Sequence, residues 1–194
     1  IRYITTLILL FVTSQVALAK VTEVSLDELM PSEQHRDASI IVTQFMKRYH
    51  YLHKDVDDEL SEQILDKFLE TLDPNRHFFL KSDIEAFDKY RFELDNALRS
   101  GEPEVAFEIF KLFRERVENR IDFAIKKLDQ SFDFTKDEMY LFDREKAPWA
   151  ESLTELDDIW RKRVKNDYLT QKLSGTEQDE IRKNQTKRYE GVLR

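Results

Sequence analysis

From Pro103 to about Leu128 the apolar residues recur three and four apart: Val105, Ile109, Phe110, Phe113, Val117, Ile121, Ala124, Ile125 and Leu128. That period belongs to one face of an α-helix and not to a strand. At about 1.5 Å per residue the helix is roughly 40 Å long, more than a small domain needs. Charges such as Arg114, Glu115, Glu118 and Arg120 clothe its other faces, where they serve solvation. The same period governs the rest of the chain. After Ser32, a good N-cap, the residues Ala38, Ile41, Val42, Phe45, Met46 and Tyr49 fall on one face. A second helix from about Asp57 to Thr71 carries Leu60, Ile64, Leu65, Phe68 and Leu69, with acids crowding its first turn. A third opens at the capping box Ser82-Asp83-Ile84-Glu85 and runs through Phe87, Leu94 and Leu98, with Arg91 on the same side, to a glycine cap at Ser100-Gly101. Pro103 suits the first turn of the fourth. A fifth, through Leu153, Leu156, Ile159, Trp160 and Val164, closes at Leu173-Ser174-Gly175. A sixth is capped by Thr176 and carries Ile181, Tyr189, Val192 and Leu193. Three glycines and four prolines in 194 residues are too few for a turn-rich β-sandwich. The expected fold class is therefore all-α, an irregular domain of about six helices over residues 32–194 with at most a short extended edge segment. Phe78-Phe79-Leu80 reads as a short plug into the core after the Asp73-Pro74-Asn75 turn. Ser131-Phe132-Asp133-Phe134-Thr135 reads either as an edge strand or as a connector that sinks two phenylalanines.

The run Asp143-Arg144-Glu145-Lys146-Ala147-Pro148-Trp149 interrupts this pattern. Proline removes a donor and biases Ala147 away from helical angles, so the chain turns with Trp149 at the start of a new helix. Trp160, the only other tryptophan, follows eleven residues on. The pair reads either as a packing corner that anchors one helix layer on another or as a docking surface. Pro148, Trp149, Trp160 and Tyr189, together with the long fourth helix, are the candidates for packing between domains.

The start of the chain argues for export. Arg2 precedes the apolar run Ile4–Phe11, and Ala17-Leu18-Ala19 supplies a small-x-small cleavage signal. Residues 1–19 are thus expected to be a signal peptide, too short to span a bilayer comfortably. Cleavage after Ala19 leaves Lys20 at the mature N-terminus. Residues 20–31 read as a tether halted by Pro31. The chain does not begin with methionine and reaches Arg194 without a stop signal for its last helix, so a larger parent protein is expected.

The chemistry is bounded mostly by exclusion. The formal charge is −8 with no basic block, a poor match to nucleic acid. No cysteine is present, so disulfides, thiolate metal sites and a cysteine nucleophile are ruled out. His50 and His53, with Asp55, Asp57 and Asp58 nearby, form a two-histidine metal candidate without a third ligand fixed by a motif. No Gly-x-Ser-x-Gly elbow, Gly-rich phosphate loop or His-Glu-x-x-His motif occurs, no serine is followed three residues later by lysine, and no cofactor is expected. The carboxylates read as a solvated coat.

Several segments together resemble a known family. They are Phe142–Trp149, Leu156–Trp160, Lys172-Leu173-Ser174-Gly175, Ile181 and Lys187-Arg188-Tyr189. Upstream come Phe68–Asp73, Phe79–Asp83, Glu93-Leu94, Leu98–Gly101 and Asp133-Phe134-Thr135. In order and spacing the mature segment resembles the N-terminal domain of bacterial tail-specific proteases, the periplasmic carboxyl-terminal processing peptidases. The resemblance implies a parent serine endopeptidase with a serine nucleophile and a lysine base. It implies a PDZ module that captures protein substrates by nonpolar C-terminal tails, and helical domains that embrace the protease core. Those parts follow the N-terminal domain, so no catalytic residue carries over to any position here. The resemblance also implies a periplasmic location in a Gram-negative-type bacterium and leaves open a lipoprotein adaptor and an association with the inner membrane. The rival reading is a free-standing exported helical adaptor without enzymatic activity.

Overall fold

The computed structural model describes residues 25–49 and 57–193. The signal segment, its cleavage residues Ala17, Ala19 and Lys20, the first part of the tether, and His50, His53 and Asp55 lie outside the described residues. Seven helices follow in order: α1 (Glu33–Tyr49), α2 (Asp58–Leu72), α3 (Lys81–Phe87), α4 (Leu94–Ser100), α5 (Glu104–Leu128), α6 (Leu153–Leu173) and α7 (Gln178–Glu190). Among the described residues there is no strand, only an isolated parallel bridge between Leu80 and Ala150. The all-α expectation holds. Residues 25–31 contain one 3-10 turn at Leu26–Glu28.

The core has two apolar clusters, and α5 is the spine between them. Ile109 near its start packs with Leu65, Leu69, Phe79, Phe87 and Leu94. Val117, Ile121, Ala124 and Leu128 further along pack with Leu156, Trp160, Val164, Ile181 and Tyr189. A helix this long is needed because one face must reach both clusters. Phe113, midway along it, is packed against both.

The helix count differs from the sequence expectation at the third helix. Residues 82–100 form two short helices joined by a 3-10 turn at Asp88–Tyr90. The Leu94 amide donates to Ser61 Oγ of α2 at 3.0 Å in place of a helical carbonyl. Arg91 is drawn at the same point to Glu62, Asp66 and Asp88. Tertiary bonds from α2 have replaced one turn of the local ladder. The cap also sits earlier than the Ser82 box predicts: Asp83 accepts the Leu80 amide at 2.9 Å, and the helix starts at Lys81. Likewise α7 begins after Glu177 rather than Thr176. The segment Ser131–Thr135 is a connector, with Phe132 and Phe134 packed on Tyr168.

Gly101 ends α4 at φ +74°, as a left-handed cap does. It also lets α1 approach, since a Cβ there would stand 2.8 Å from Ile40 Cδ1. The amphipathic pattern of α1 is nevertheless not met as its spacing suggests. The face turned inward carries Ser39 and Thr43, while Ile41, Val42, Phe45 and Tyr49 are exposed.

Candidate functional site

The corner around the two tryptophans is built from two loops. One leaves α2, residues 73–80; the other enters α6, residues 143–152. Asp73, the C-cap of α2, is buried and organises the first. Its carboxylate accepts the amides of His77 and Phe78 at 2.8 Å and of Phe79 at 3.0 Å. Proline at 74 cannot continue the helix, and Arg76 takes a left-handed conformation at φ +51°. The chain is thereby folded back so that Phe78 and Phe79 enter the core side by side.

These two rings serve different indoles. Phe78 packs on Trp160 with ring centroids 5.7 Å apart, and Phe79 meets Trp149 edge-on at 6.2 Å. The two tryptophans therefore belong to different clusters, joined through adjacent phenylalanines. Trp160 is 1% exposed; its Nε1–H donates to the His77 carbonyl at 2.6 Å, and the Arg163 guanidinium lies 4.6 Å over its ring. Tyr189 is 2% exposed and donates its hydroxyl to Asp167 at 2.8 Å. Burial first, and then Asp167 beside it, push that phenol far above its ordinary range. Both residues line the interior of this domain. Pro148 is exposed and Trp149 is half-buried, with Arg76 5.1 Å over its ring.

The second loop is tied to the first along its length. Arg76 donates to the Ala147 carbonyl, the Arg144 amide donates to Asn75 Oδ1, and the Lys81 amide donates to the buried Ala150 carbonyl at 2.8 Å. A cleft of about 240 Å³ opens beside Trp149, lined among others by Asp73, Arg76, Glu145 and Lys146. Preceding it, the connector is pinned to α6 by Glu138, which accepts from Arg161 at 2.5 Å and Lys165 at 2.6 Å. These two cations hold the Glu138 carboxyl down at about 2. Met139, Leu141 and Phe142 in the same stretch are left exposed.

His77 has a measurable signature. Its ring is buried beside Arg163 and Arg144, and burial followed by those two charges lowers its pKa to about 4. The unfolded chain takes this proton near the ordinary value of 6.5, so folding stability from this group is complete above about 6.5 and is lost as pH falls towards about 4. We expect a loss of about 2–3 kcal/mol over that interval, and His77→Gln should lose correspondingly less. Urea unfolding at several pH values measures it; parallel profiles for the two proteins would acquit His77.

Asp57 and Asp58 are the described members of the suspected metal cluster. Asp57 caps α2, accepting the Leu60 amide at 3.0 Å. No group of three or more metal-binding side chains occurs among the described residues, and no described helix is long and apolar enough to cross a membrane. What sequence reasoning missed is the role of Asp73, Arg76, His77, Arg144 and Arg163. The available signal was an aspartate placed between a helix end and a proline, which marks a turn without saying how many amides it gathers.

Comparison with known proteins adds two findings. The family described as the tail specific protease N-terminal domain matches residues 41–194. The tail-specific protease of Haemophilus influenzae (strain ATCC 51907 / DSM 11121 / KW20 / Rd) is 34% identical over 164 residues, 84% of this chain and 24% of that protein. The chain thus spans about a quarter of the length of the curated relative it matches.

Proposed function

This chain belongs to the tail-specific protease N-terminal domain family, and from that membership we propose that it is the non-catalytic helical domain of a longer periplasmic serine endopeptidase. The observation that carries the reading is the match over 154 of the chain's residues, 41–194, to a family described as the N-terminal domain of tail specific protease. In this reading the domain scaffolds the protease core and shapes access to it. The parent cleaves proteins recognised by nonpolar C-terminal tails through a PDZ module that follows, with a serine and a lysine as nucleophile and base. A lysine base works when its environment lowers its pKa. Lys81 and Lys89, whose pKa values do shift, both go up, Lys81 chiefly through its bond to Glu151 and Lys89 chiefly through Tyr90.

The test is made on the natural gene product. A test protein ending in a nonpolar tail should be degraded, and the same protein ending in a charged tail should persist. Serine-directed inhibition should abolish the cleavage. A natural product of about the 23.3 kDa of this chain, without peptidase activity, would overturn the reading in favour of a free-standing helical adaptor.

A further inference from the structure

α1 packs on the body of the domain by a mixed side, with Ile40 half-buried against Gly101 beside two hydroxyl residues. Ser39 and Thr43 are its buried residues, and both are satisfied within the helix, Ser39 donating to the Arg36 carbonyl at 2.9 Å and Thr43 to the Ser39 carbonyl at 2.8 Å. Such self-satisfied hydroxyls can be buried at little cost. Arg36 fastens the same side, donating to the Gly101 carbonyl at 3.3 Å and pairing with Glu104 at the start of α5. The His35 ring meets Phe107 edge-on at 5.3 Å. The other side is a row of large apolar residues left in solvent. Ile41, Val42, Phe45 and Tyr49 are each 57–64% exposed, with Phe45 and Tyr49 in ring contact at 5.0 Å. Ala38, also exposed, extends the row to 38-42-45-49. That alternation of four, three and four is the spacing by which a helix anchors in an apolar groove. Singly exposed apolar residues are ordinary, but a contiguous row on one helix face marks a contact surface.

The size of the row decides what kind of surface can cover it. A large side chain buries about 150–250 Å² at most, so these partly exposed residues offer on the order of 500 Å². A specific interface between separate proteins needs about 800 Å² from each partner, so neither a second copy nor a free protein is held by this row alone. A surface in the same polypeptide meets no such requirement, because a linker raises its effective concentration to roughly the millimolar range. The relative has further chain that could supply one, since the matched stretch is only 24% of that protein. We propose that the outward face of α1 seats an apolar surface of the polypeptide that follows this domain in the longer protein. The inference rests on the reading that the chain is the N-terminal part of such a protein, and it names Ile41, Val42, Phe45 and Tyr49 as the contact.

The experiment places single thiols in the full-length protein. This segment has no cysteine of its own; with any cysteine in the rest of the protein first replaced by serine, Val42→Cys and Phe45→Cys, with Lys67→Cys on the exposed side of α2 as a control, report locally. Alkylation rates are measured in native buffer and in urea. The native protein should protect both α1 sites roughly tenfold or more relative to urea, and the control much less. Having two α1 sites keeps the test decisive if one variant folds poorly. Labelling of both sites at the control's rate would overturn the inference and leave the protease reading standing. Protection that fades on dilution would assign the face to a second copy and overturn it as well. A natural product no longer than this chain would overturn both readings, and its mass alone distinguishes that outcome.

Discussion

Trp160→Ala is expected to lower the unfolding free energy by about 3–5 kcal/mol, the range for emptying a large aromatic site in a core. The indole is 1% exposed and lies against Phe78, Tyr189, His77 and Arg163, side chains supplied by three different parts of the chain. No single one of them can relax into the vacated space without leaving its other contacts. The indole N–H also satisfies the His77 carbonyl. Trp160→Phe separates the two contributions: it keeps most of the volume, drops the hydrogen bond, and should cost about 1–2 kcal/mol. Trp149, half-buried at the edge of the other cluster, should be the more tolerant tryptophan. Chemical denaturation followed by circular dichroism measures all three. If Trp160→Ala unfolds within about 1 kcal/mol of wild type, the indole is not the keystone of the larger cluster.

Asp73→Ala should be comparably damaging, at about 3–5 kcal/mol, for a different reason. No cavity of consequence is made; three backbone amides lose their acceptor. The His77 and Phe79 amides are buried bonds and the Phe78 amide is partly buried. An amide left unsatisfied away from water costs about 1–3 kcal/mol, with entering water reducing the sum. The damage should spread, because Phe78 and Phe79 are aimed at the two clusters by this fold-back. Asp73→Asn retains one acceptor oxygen and should fall between wild type and alanine. If Asn and Ala were equally mild, the carboxylate would not be what shapes residues 73–80. Proton exchange of the His77 and Phe79 amides gives an independent reading, since both should lose protection in Asp73→Ala.

Much of this architecture is legible along the chain. The nine apolar positions of α5 and the Gly101 cap report local geometry, where neighbours three and four residues apart must share a face whatever surrounds them. The single helix expected over 82–100 failed for a nonlocal reason, since Ser61 takes the Leu94 amide and Arg91 is pulled to α2. The corner was legible as a turn at Pro148 with Trp149 next and Trp160 on the helix beyond. That Trp149 and Trp160 lie in different clusters was not, because the link is the pair Phe78-Phe79, some seventy to eighty residues away in sequence.

Family membership follows from the order of residues as well, since a match over 41–194 depends on which residues stand where and not on how they pack. So does the all-α class, because helical period is a property of near neighbours. Only the tertiary structure decided which face of each helix is covered. α1 has an apolar row that its spacing makes plain, yet the fit of Ile40 beside Gly101 and the partners of Arg36 turn the opposite side, which carries Ser39 and Thr43, inward. Burial depends on what a distant part of the chain places against a face, and the spacing of residues along one helix carries no record of it.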